Sequence, residues 1–263
     1  MPARALALAV VASALPCVAW GSFEDLGYKV KPIDGSLWAS MHGGGRTTNG
    51  READRRILFS FDDGPDQRST PVLLDHLDRF GVKAVFFVNG QRMVESRGDA
   101  AENIEVLREI HRRGHIIGNH TFSHRDLGTL GARDLEWQID ALSRFVESVT
   151  GERTWLFRPP FGRLGAASPH LAQAGYTVLM WSLDPLDWQT DDPAEVCRRV
   201  AAAIESDPNG GIIALHDTNR ATVEAFPLIM EWLEQRNAEL ASLGQPVVRV
   251  AGIEAFYRRR SRR

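Results

Sequence analysis

The chain has 263 residues, of which 43% are hydrophobic and 25% are charged, and its formal net charge at pH 7 is −3. This composition is that of an ordinary globular protein, and the length allows one or two domains, including a single α/β barrel. The negative net charge argues against nucleic acid as a partner, so we expect none.

The N-terminus is typical of a secretory signal peptide. Arg4 precedes an apolar run from Ala5 to Pro16, and small residues follow at Cys17, Ala19 and Gly21. The pattern predicts a signal peptide at residues 1–21 and an exported protein, periplasmic or extracellular. The apolar run is short for a membrane span, so we expect no transmembrane segment.

Residues 22–55 are polar and irregular, which predicts an N-terminal arm, and residues 56–256 then alternate between short apolar runs and amphipathic stretches. Strand and helix in alternation predict an α/β fold with parallel strands. About seven such units favour a closed or nearly closed (β/α) barrel, although an open doubly wound sheet has the same alternation. The predicted strands are Ile57–Phe61, Ala84–Val88, Ile116–Gly118, Trp155–Arg158, Thr177–Trp181, Gly211–Leu215 and Val247–Val250. Helices are predicted near residues 70–80, 102–113, 132–149, 166–174, 193–206 and 222–241.

One of these helices has a clear start signal. Asp192 is placed as its N-cap, Pro193 occupies the first helical position, and Glu195 would complete a capping box.

The C-terminus is strongly basic, because five of the last six residues are arginine. We expect residues 257–263 to form a tail with one of two roles. It is either a solvated chain end or a patch that adheres weakly to an anionic envelope surface.

Two adjacent carboxylates, Asp62 and Asp63, follow the first predicted strand, and Gly64-Pro65 ends that strand at once. Two carboxylates this close repel each other unless a cation or an arginine lies between them. Taken alone, the pair is also compatible with two solvated residues of a turn.

A second pattern places two imidazoles four residues apart, at His120 and His124, after the third predicted strand. On one helical turn or in a tight loop, both rings can face one point, which is a common spacing for metal ligands. Catalytic residues of such barrels lie at the C-terminal ends of the strands. Together with a carboxylate from a neighbouring strand, the pair would make a site of two histidines and one carboxylate with open positions. The second carboxylate would then be free to act as a base.

Five ordered blocks of the sequence are similar to the signature blocks of polysaccharide deacetylases, which are carbohydrate esterase family 4 or the NodB-homology domain. The blocks are Ser60-Phe61-Asp62-Asp63-Gly64-Pro65, His120-Thr121-Phe122-Ser123-His124, Arg158-Pro159-Pro160-Phe161-Gly162, Asp184-Pro185-Leu186-Asp187-Trp188 and Leu215-His216-Asp217. The resemblance covers residues 57 to about 220 and extends to the rest of the barrel. It implies a distorted (β/α) barrel, with residues 56–256 as the catalytic domain.

The resemblance also implies a metal centre. Asp63, His120 and His124 correspond to the ligands of a divalent metal, which is usually zinc in this family, with Co²⁺ or another divalent ion as alternatives. Asp62 resembles the general base that takes a proton from the metal-bound water, and Arg158 resembles the residue that orients this base.

The remaining blocks imply the acid and the substrate contacts. His216 resembles the general acid, and Asp187 the carboxylate that tunes it. Phe161, Trp188 and Leu215 are implied as substrate-binding residues, with the backbone N–H of Phe161 helping to hold the oxyanion. Ala214 stands where the family usually carries Leu, which would alter the pocket for the acetyl methyl group. Asp184 is expected to cap a loop.

These implications predict a secreted, metal-dependent N-deacetylase. Its substrate would be N-acetylglucosamine residues of a peptidoglycan or chitin-like glycan in the cell envelope or outside the cell. Two alternatives stay open: an O-acetyl esterase acting on xylan, and a non-catalytic glycan-binding protein on the same scaffold.

Overall fold

The computed structural model describes residues 55–94 and 98–256. The predicted signal peptide at 1–21, the predicted arm at 22–55 apart from Arg55, and the basic tail at 257–263 lie outside the described residues. The domain boundaries therefore stay predictions.

Among the described residues, the core of the fold is a sheet of seven parallel strands. The strands are β1 (Arg56–Asp62), β2 (Val85–Val88), β3 (Ile116–Asn119), β4 (Leu156–Phe157), β5 (Thr177–Val178), β6 (Gly210–His216) and β7 (Arg249–Val250). Their order is β5-β4-β3-β2-β1-β6, and β7 pairs with the start of β1. Every predicted strand is present, which confirms the α/β fold with parallel strands.

Helices cover the sheet and connect its strands. They are α1 (Thr70–Arg79), α2 (Gln91–Val94), α3 (Ala100–Arg112), α4 (Ala132–Thr150), α5 (Ser168–Gln173), α6 (Pro193–Ser206) and α7 (Arg220–Ser242). The six predicted helices are confirmed to within two residues at each end. The short α2 was not predicted, because four residues are too few to show a helical period. Within the described residues, no helix combines the length and apolar character needed to cross a bilayer.

The sheet curls towards a barrel that is irregular between β5 and β6. There Leu183 forms an isolated parallel bridge with Ile213. The N–H of Leu183 donates to the Ile212 carbonyl at 3.0 Å, and the N–H of Ala214 donates to the Leu183 carbonyl at 3.1 Å. Strand β6 thus pairs with β1 on one side and with this non-strand segment after β5 on the other, so the sheet forms a distorted barrel and the open doubly wound alternative is wrong.

The two faces of each strand bury different side chains. In β1, Phe59 and Phe61 pack in the large core that includes Leu73 of α1 and Phe226 of α7. Leu58 belongs instead to a smaller cluster contributed largely by the strands. Because side chains alternate along a strand, Asp62 shares the inner face with Leu58, and the end of β1 directs it into the mouth of the barrel.

The start of α6 differs in one detail from the predicted capping box. The Asp192 side chain accepts the Ala194 N–H at 2.9 Å, which confirms the N-cap. Glu195 does not reach back to the cap, because its carboxylate binds the Arg199 guanidinium at 2.8 Å. The Asp192 N–H donates instead to the Thr190 hydroxyl at 3.2 Å. An arginine one turn along the helix has displaced the capping contact.

Candidate metal centre and active site

Strands β1, β3 and β6 end on the same rim of the barrel, and their last residues meet there. Asp62 pairs in register with His216 across β1 and β6. The loop after β3 brings His120 and His124 to the same rim, facing Asp63. Three separate segments of the chain therefore supply one cluster of ionisable groups.

Asp63, His120 and His124 have the geometry of a metal site. The Asp63 Oδ1 atom lies 3.5 Å from His120 Nε2 and 3.2 Å from His124 Nε2, and the ligand atoms of all three lie within 4.8 Å of one another. Ligand bonds of roughly 2.0–2.2 Å in a tetrahedral zinc site place neighbouring ligand atoms about 3.3–3.6 Å apart. Asp63 Oδ1 is also buried without a hydrogen-bond partner. Such a carboxylate oxygen is costly to bury unless a cation is there to bind it, so the three residues fit a divalent cation.

The His120 ring is held in the tautomer that a metal ligand needs. Its Nδ1 lies 2.7 Å from the Arg158 carbonyl oxygen. A carbonyl can only accept, so Nδ1 carries the proton and the Nε2 lone pair faces Asp63. Burial lowers the pKa of His120, in opposition to the nearby Asp62 and Asp63, and so favours the neutral ring.

Backbone strain is concentrated around the candidate ligands. Asp63, Thr121 and His124 have φ angles of 73°, 69° and 52°, in the left-handed region that side chains rarely adopt. The His124 N–H donates to the Thr121 hydroxyl at 3.1 Å, which holds the turn between the two histidines. Strain of this kind persists only where neighbouring contacts enforce it, and it is common at functional sites.

A buried arginine orients Asp62. The Arg158 side chain has no exposed surface, and its Nη1 donates to Asp62 Oδ1 at 2.8 Å and to the Ser60 hydroxyl at 2.9 Å. Its Nε donates to the Leu179 carbonyl at 2.9 Å, and the guanidinium lies 4.2 Å from the centre of the Phe87 ring. Arg158 is thus the partner that the adjacent carboxylates required, and it fixes Asp62 beside the Asp63 cluster.

His216 lies on the other side of the cluster and is held by Asp187, which is fully buried. Asp187 Oδ1 accepts from His216 Nδ1 at 2.8 Å, while Oδ2 accepts the His216 N–H at 2.8 Å and the Thr222 hydroxyl at 2.6 Å. The His216 Nε2 atom is left facing Asp63 Oδ2 at 4.0 Å. Burial lowers the pKa of His216, but the hydrogen bond and charge of Asp187, with Asp62 and Asp63, outweigh it and raise the pKa to about 9.

Two large aromatic side chains stand exposed near the cluster. Phe161 and Trp188 are each 59% exposed, and the Phe161 ring meets the His124 ring edge-to-face at 4.8 Å. Phe161 has a φ of 59°, so its short turn after β4 is strained like the ligand loop. Exposed aromatic rings beside a polar cluster suit contact with an amphipathic ligand.

The structure does not support Leu215 as a substrate contact. Its side chain is fully buried and belongs to the large core with Phe61 and Phe226. The reason is the alternation along β6, which directs His216 into the mouth and its neighbour Leu215 towards the helices. Asp184 caps a loop as expected, since it accepts the Trp181 indole N–H at 3.1 Å and the Leu186 N–H at 3.1 Å.

The sequence pattern indicated no role for Asp217. In the structure its side chain is completely buried and lies beside Gly64, the residue after Asp63. Its Oδ2 accepts the Thr70 hydroxyl at 2.5 Å, and its carbonyl accepts the Ser69 hydroxyl at 2.6 Å. Burial raises the pKa of Asp217 to about 7. A Cβ on Gly64 would lie 2.2 Å from Asp217 Oδ2, so only glycine fits there. The available signal was that Gly64 and Asp217 follow the ends of β1 and β6, which pair in the sheet.

The chain is similar in sequence and in fold to known proteins. A family model described as polysaccharide deacetylase matches residues 49–179. The chain is 28% identical over 195 residues to the peptidoglycan-N-acetylglucosamine deacetylase PgdA of Listeria monocytogenes, covering 74% of this chain and 39% of that protein. It is 30% identical over 198 residues to a peptidoglycan-N-acetylglucosamine deacetylase of Bacillus cereus, covering 73% of this chain and 88% of the relative. The solved chitin deacetylase of the fungal pathogen Colletotrichum lindemuthianum matches with a TM-score of 0.64 at 25% identity, covering 78% of this chain and 88% of that structure. The chain therefore spans about two fifths of the length of the Listeria protein and most of the length of the other two.

Proposed function

We propose, from the premise that this chain belongs to the polysaccharide deacetylase family, that it hydrolyses the acetamide groups of an N-acetylated glycan with the help of a divalent cation. The observation that carries the proposal is the convergence of three functions on one rim. Three residues that could hold a cation lie next to an arginine-bound carboxylate and a carboxylate-bound imidazole. Amide hydrolysis needs these parts: a base, an electrophilic centre and an acid.

Asp63, His120 and His124 would hold the cation, and the two imidazoles with one carboxylate favour zinc among the common divalent ions. When bound, the ion would polarise the acetyl carbonyl and make a water molecule more acidic. Three protein ligands leave a position for that chemistry, as in other catalytic zinc sites.

Asp62 acts as the base and accepts a proton from the attacking water. Its bond to Arg158 Nη1 holds one oxygen in place, and the other is free for the proton. The hydrogen bonds of Arg158 to Ser60 and Leu179 hold the guanidinium in place, so that it stays paired with Asp62. Because Asp62 is not needed as a ligand, it stays available as a base.

His216 acts as the acid and donates its Nε2 proton to the departing amine, which leaves poorly unless protonated. A pKa raised to about 9 keeps this ring charged near neutral pH. The backbone N–H of Phe161 would donate to the oxyanion, and a donor of this kind contributes about 2.7–4 kcal/mol in known enzymes. Phe161 and Trp188 would form walls of the sugar groove.

The substrate we propose is N-acetylglucosamine in peptidoglycan or a chitin-like polymer, in line with the activities for which the similar proteins are named. An exported protein, delivered by a signal peptide at residues 1–21, would meet such a glycan in the periplasm or outside the cell. The basic residues 258–263 would add weak adhesion to an anionic envelope. Deleting them should then lower envelope binding at low salt, and unchanged binding would reject this role.

Acetate release is the test of the proposed function. The zinc-loaded protein is incubated with N-acetylglucosamine oligomers, peptidoglycan and acetylated xylan, beside an Asp62→Asn variant. We expect acetate from one or both N-acetylated glycans, and a variant that retains zinc but loses turnover. Release from xylan alone would indicate the esterase. Binding of oligomers without any acetate release would contradict the enzymatic proposal and favour a glycan-binding protein.

A further inference from the structure

The five-residue loop that carries both histidine ligands is held by a complete set of backbone hydrogen bonds. The His120 N–H donates to the Val88 carbonyl at 3.0 Å, and the Phe122 N–H donates to the Gln138 carbonyl at 2.9 Å. The other three N–H groups, those of Thr121, Ser123 and His124, donate to side-chain oxygens of Asn119, Gln138 and Thr121. Every N–H group of this irregular and partly left-handed loop is thus paired with an oxygen of the protein.

Gln138, in the middle of α4, contributes most to this arrangement. Its side chain is nearly fully buried, and its Oε1 accepts the Ser123 N–H at 2.9 Å while its Nε2 donates to the Ser123 hydroxyl at 2.7 Å. Its backbone carbonyl binds Phe122 as well. One helical residue therefore fixes the two residues that lie just before His124.

Asn119 ties the other end of the loop to the same helix. Its Oδ1 accepts the Thr121 N–H at 2.8 Å, and its Nδ2 donates to the carbonyl of Ile139, the neighbour of Gln138, at 2.8 Å. The Tyr176 hydroxyl is a further partner, at 3.1 Å. Helix α4 is itself anchored by Leu135, Ile139 and Leu142, which are buried, so the loop rests on a rigid support.

We propose that Gln138 is a positioning residue that sets the affinity of the cation site, by presenting His124 in the geometry the ion requires. The left-handed φ angles at Thr121 and His124 are unfavourable for a free loop, so without the Gln138 bonds the loop relaxes and each ion must restore it. Part of the free energy of ion binding is then used to order the loop, so the measured affinity for the ion is lower. The inference rests on the cation site of the proposed function, but Gln138 touches neither ion nor substrate.

The test measures zinc affinity by competition with a chromophoric chelator, in wild type and in Gln138→Met. Methionine has a similar length and fills the same space, but its thioether has no donor and accepts hydrogen bonds only weakly. Loss of a contact that orients a ligand costs about 10- to 100-fold in metal affinity in known sites, and we expect a loss in that range.

Asn237→Leu serves as the matched control for general loss of stability. Asn237 makes a similar pair of amide bonds, to the Val248 carbonyl and the Val248 N–H, both at 2.8 Å and both outside the site. We expect this variant to lower the melting temperature of the metal-free protein and to retain wild-type zinc affinity. A Gln138→Met affinity equal to that of the wild type, or an equal loss in Asn237→Leu, would overturn the inference.

Gln138→Glu keeps an oxygen acceptor for the Ser123 N–H and a second one for its hydroxyl, so we expect it to restore affinity. A loss of about 10-fold or more in Gln138→Glu would overturn the inference, and this outcome can be read even if Gln138→Met does not fold. Failure of the proposed function has a different signature, because the wild-type protein would then either bind no zinc at the site or bind zinc and release no acetate.

Discussion

The pairing of His216 with Asp187 predicts how activity depends on pH, and Asp187→Asn tests it. In the native protein, the two Asp187 oxygens accept three hydrogen bonds, from His216 Nδ1, the His216 N–H and the Thr222 hydroxyl. The amide in Asp187→Asn would have one acceptor oxygen, so it could not accept hydrogen bonds at both of the positions that the two Asp187 oxygens occupy. It also removes the charge that opposes the effect of burial on the imidazole.

The size of the effect follows from the pKa of His216. The wild-type value of about 9 lies above the ordinary 6.5, and at about 1.4 kcal/mol for each tenfold change this interval is worth roughly 3 kcal/mol. Without the hydrogen bond and charge of Asp187, which are the largest causes of the increase, the pKa should fall back towards 6.5. At pH 8 the protonated fraction of the acid would then fall from about nine tenths to about 3%, or roughly 30-fold. A cation at Asp63 would lower the pKa of His216 in the wild type and in Asp187→Asn alike, so the prediction concerns the difference between the two proteins.

The assay is the pH profile of kcat/KM for acetate release, whose alkaline limb reports the acid of the free enzyme. We expect the limb of Asp187→Asn to lie about two pH units below that of the wild type. Asp184→Asn is the control, because Asp184 binds only Trp181 and Leu186 and contacts no histidine. An alkaline limb that stays in place in Asp187→Asn would refute the role given to this pair.

The same pair affects stability with a definite sign. Because folding raises the pKa of His216 from 6.5 to about 9, the stabilisation by Asp187 is fully present below pH 6.5 and is lost as the pH rises towards 9. In the metal-free protein, the difference in unfolding free energy between wild type and Asp187→Asn should therefore shrink by roughly 3 kcal/mol over that range. Urea unfolding at pH 6 and pH 9.5 measures it, and a difference that grows with pH would contradict the assignment.

Three further predictions concern residues around the site and the core. Gly64→Ala should destabilise by about 1–3 kcal/mol in urea unfolding, since its Cβ meets the Asp217 carboxyl. Adding Asp217→Ala should cost less than the sum of the two single changes, and strict additivity would count against this contact. His115 is buried, which lowers its pKa to about 4. The free energy of unfolding should therefore decrease by about 3 kcal/mol as the pH falls from 6.5 to 4. In denaturant titrations, His115→Gln should make the unfolding free energy depend less on pH over this range. Leu215→Ala should cost about 2–5 kcal/mol of stability and leave KM unaltered. Phe161→Ala, at an exposed position, should raise KM and leave stability nearly unaltered. A raised KM in Leu215→Ala but not in Phe161→Ala would restore Leu215 as a substrate contact.

The sequence predicted the strands and longer helices well because each has a clear period or a clear end signal. Asp62 to Pro65 stop β1 abruptly, and Asp192-Pro193 starts α6 at the observed residue. Strands β4 and β5 were predicted longer than the two residues each contains. Their apolar runs continue past the ladder, and there the Leu179 and Met180 carbonyls accept hydrogen bonds from the Arg158 side chain.

The site was predictable where chemistry is carried by residue type and spacing, as in Asp63, His120 and His124. Contacts that depend on packing direction were not. Leu215 adjoins the acid in sequence, yet strand alternation places it on the helix side. Gln138 lies in an amphipathic helix pattern where a buried glutamine has no distinct signal, and its contacts with the loop that carries His124 appear only when α4 is packed against that loop. Asp217 likewise acquires its environment from two chain segments that meet across β1 and β6.

The most direct measurement is a zinc titration of metal-free protein in which bound ion and acetate released from an N-acetylglucosamine oligomer are followed together, for wild type and Asp63→Ala. We expect activity to rise in proportion to bound zinc and to reach its plateau at one ion per chain, while Asp63→Ala takes up no ion at this site and releases no acetate. Full turnover by the metal-free protein, or an Asp63→Ala variant as active as the wild type, would contradict a reaction centred on these three ligands.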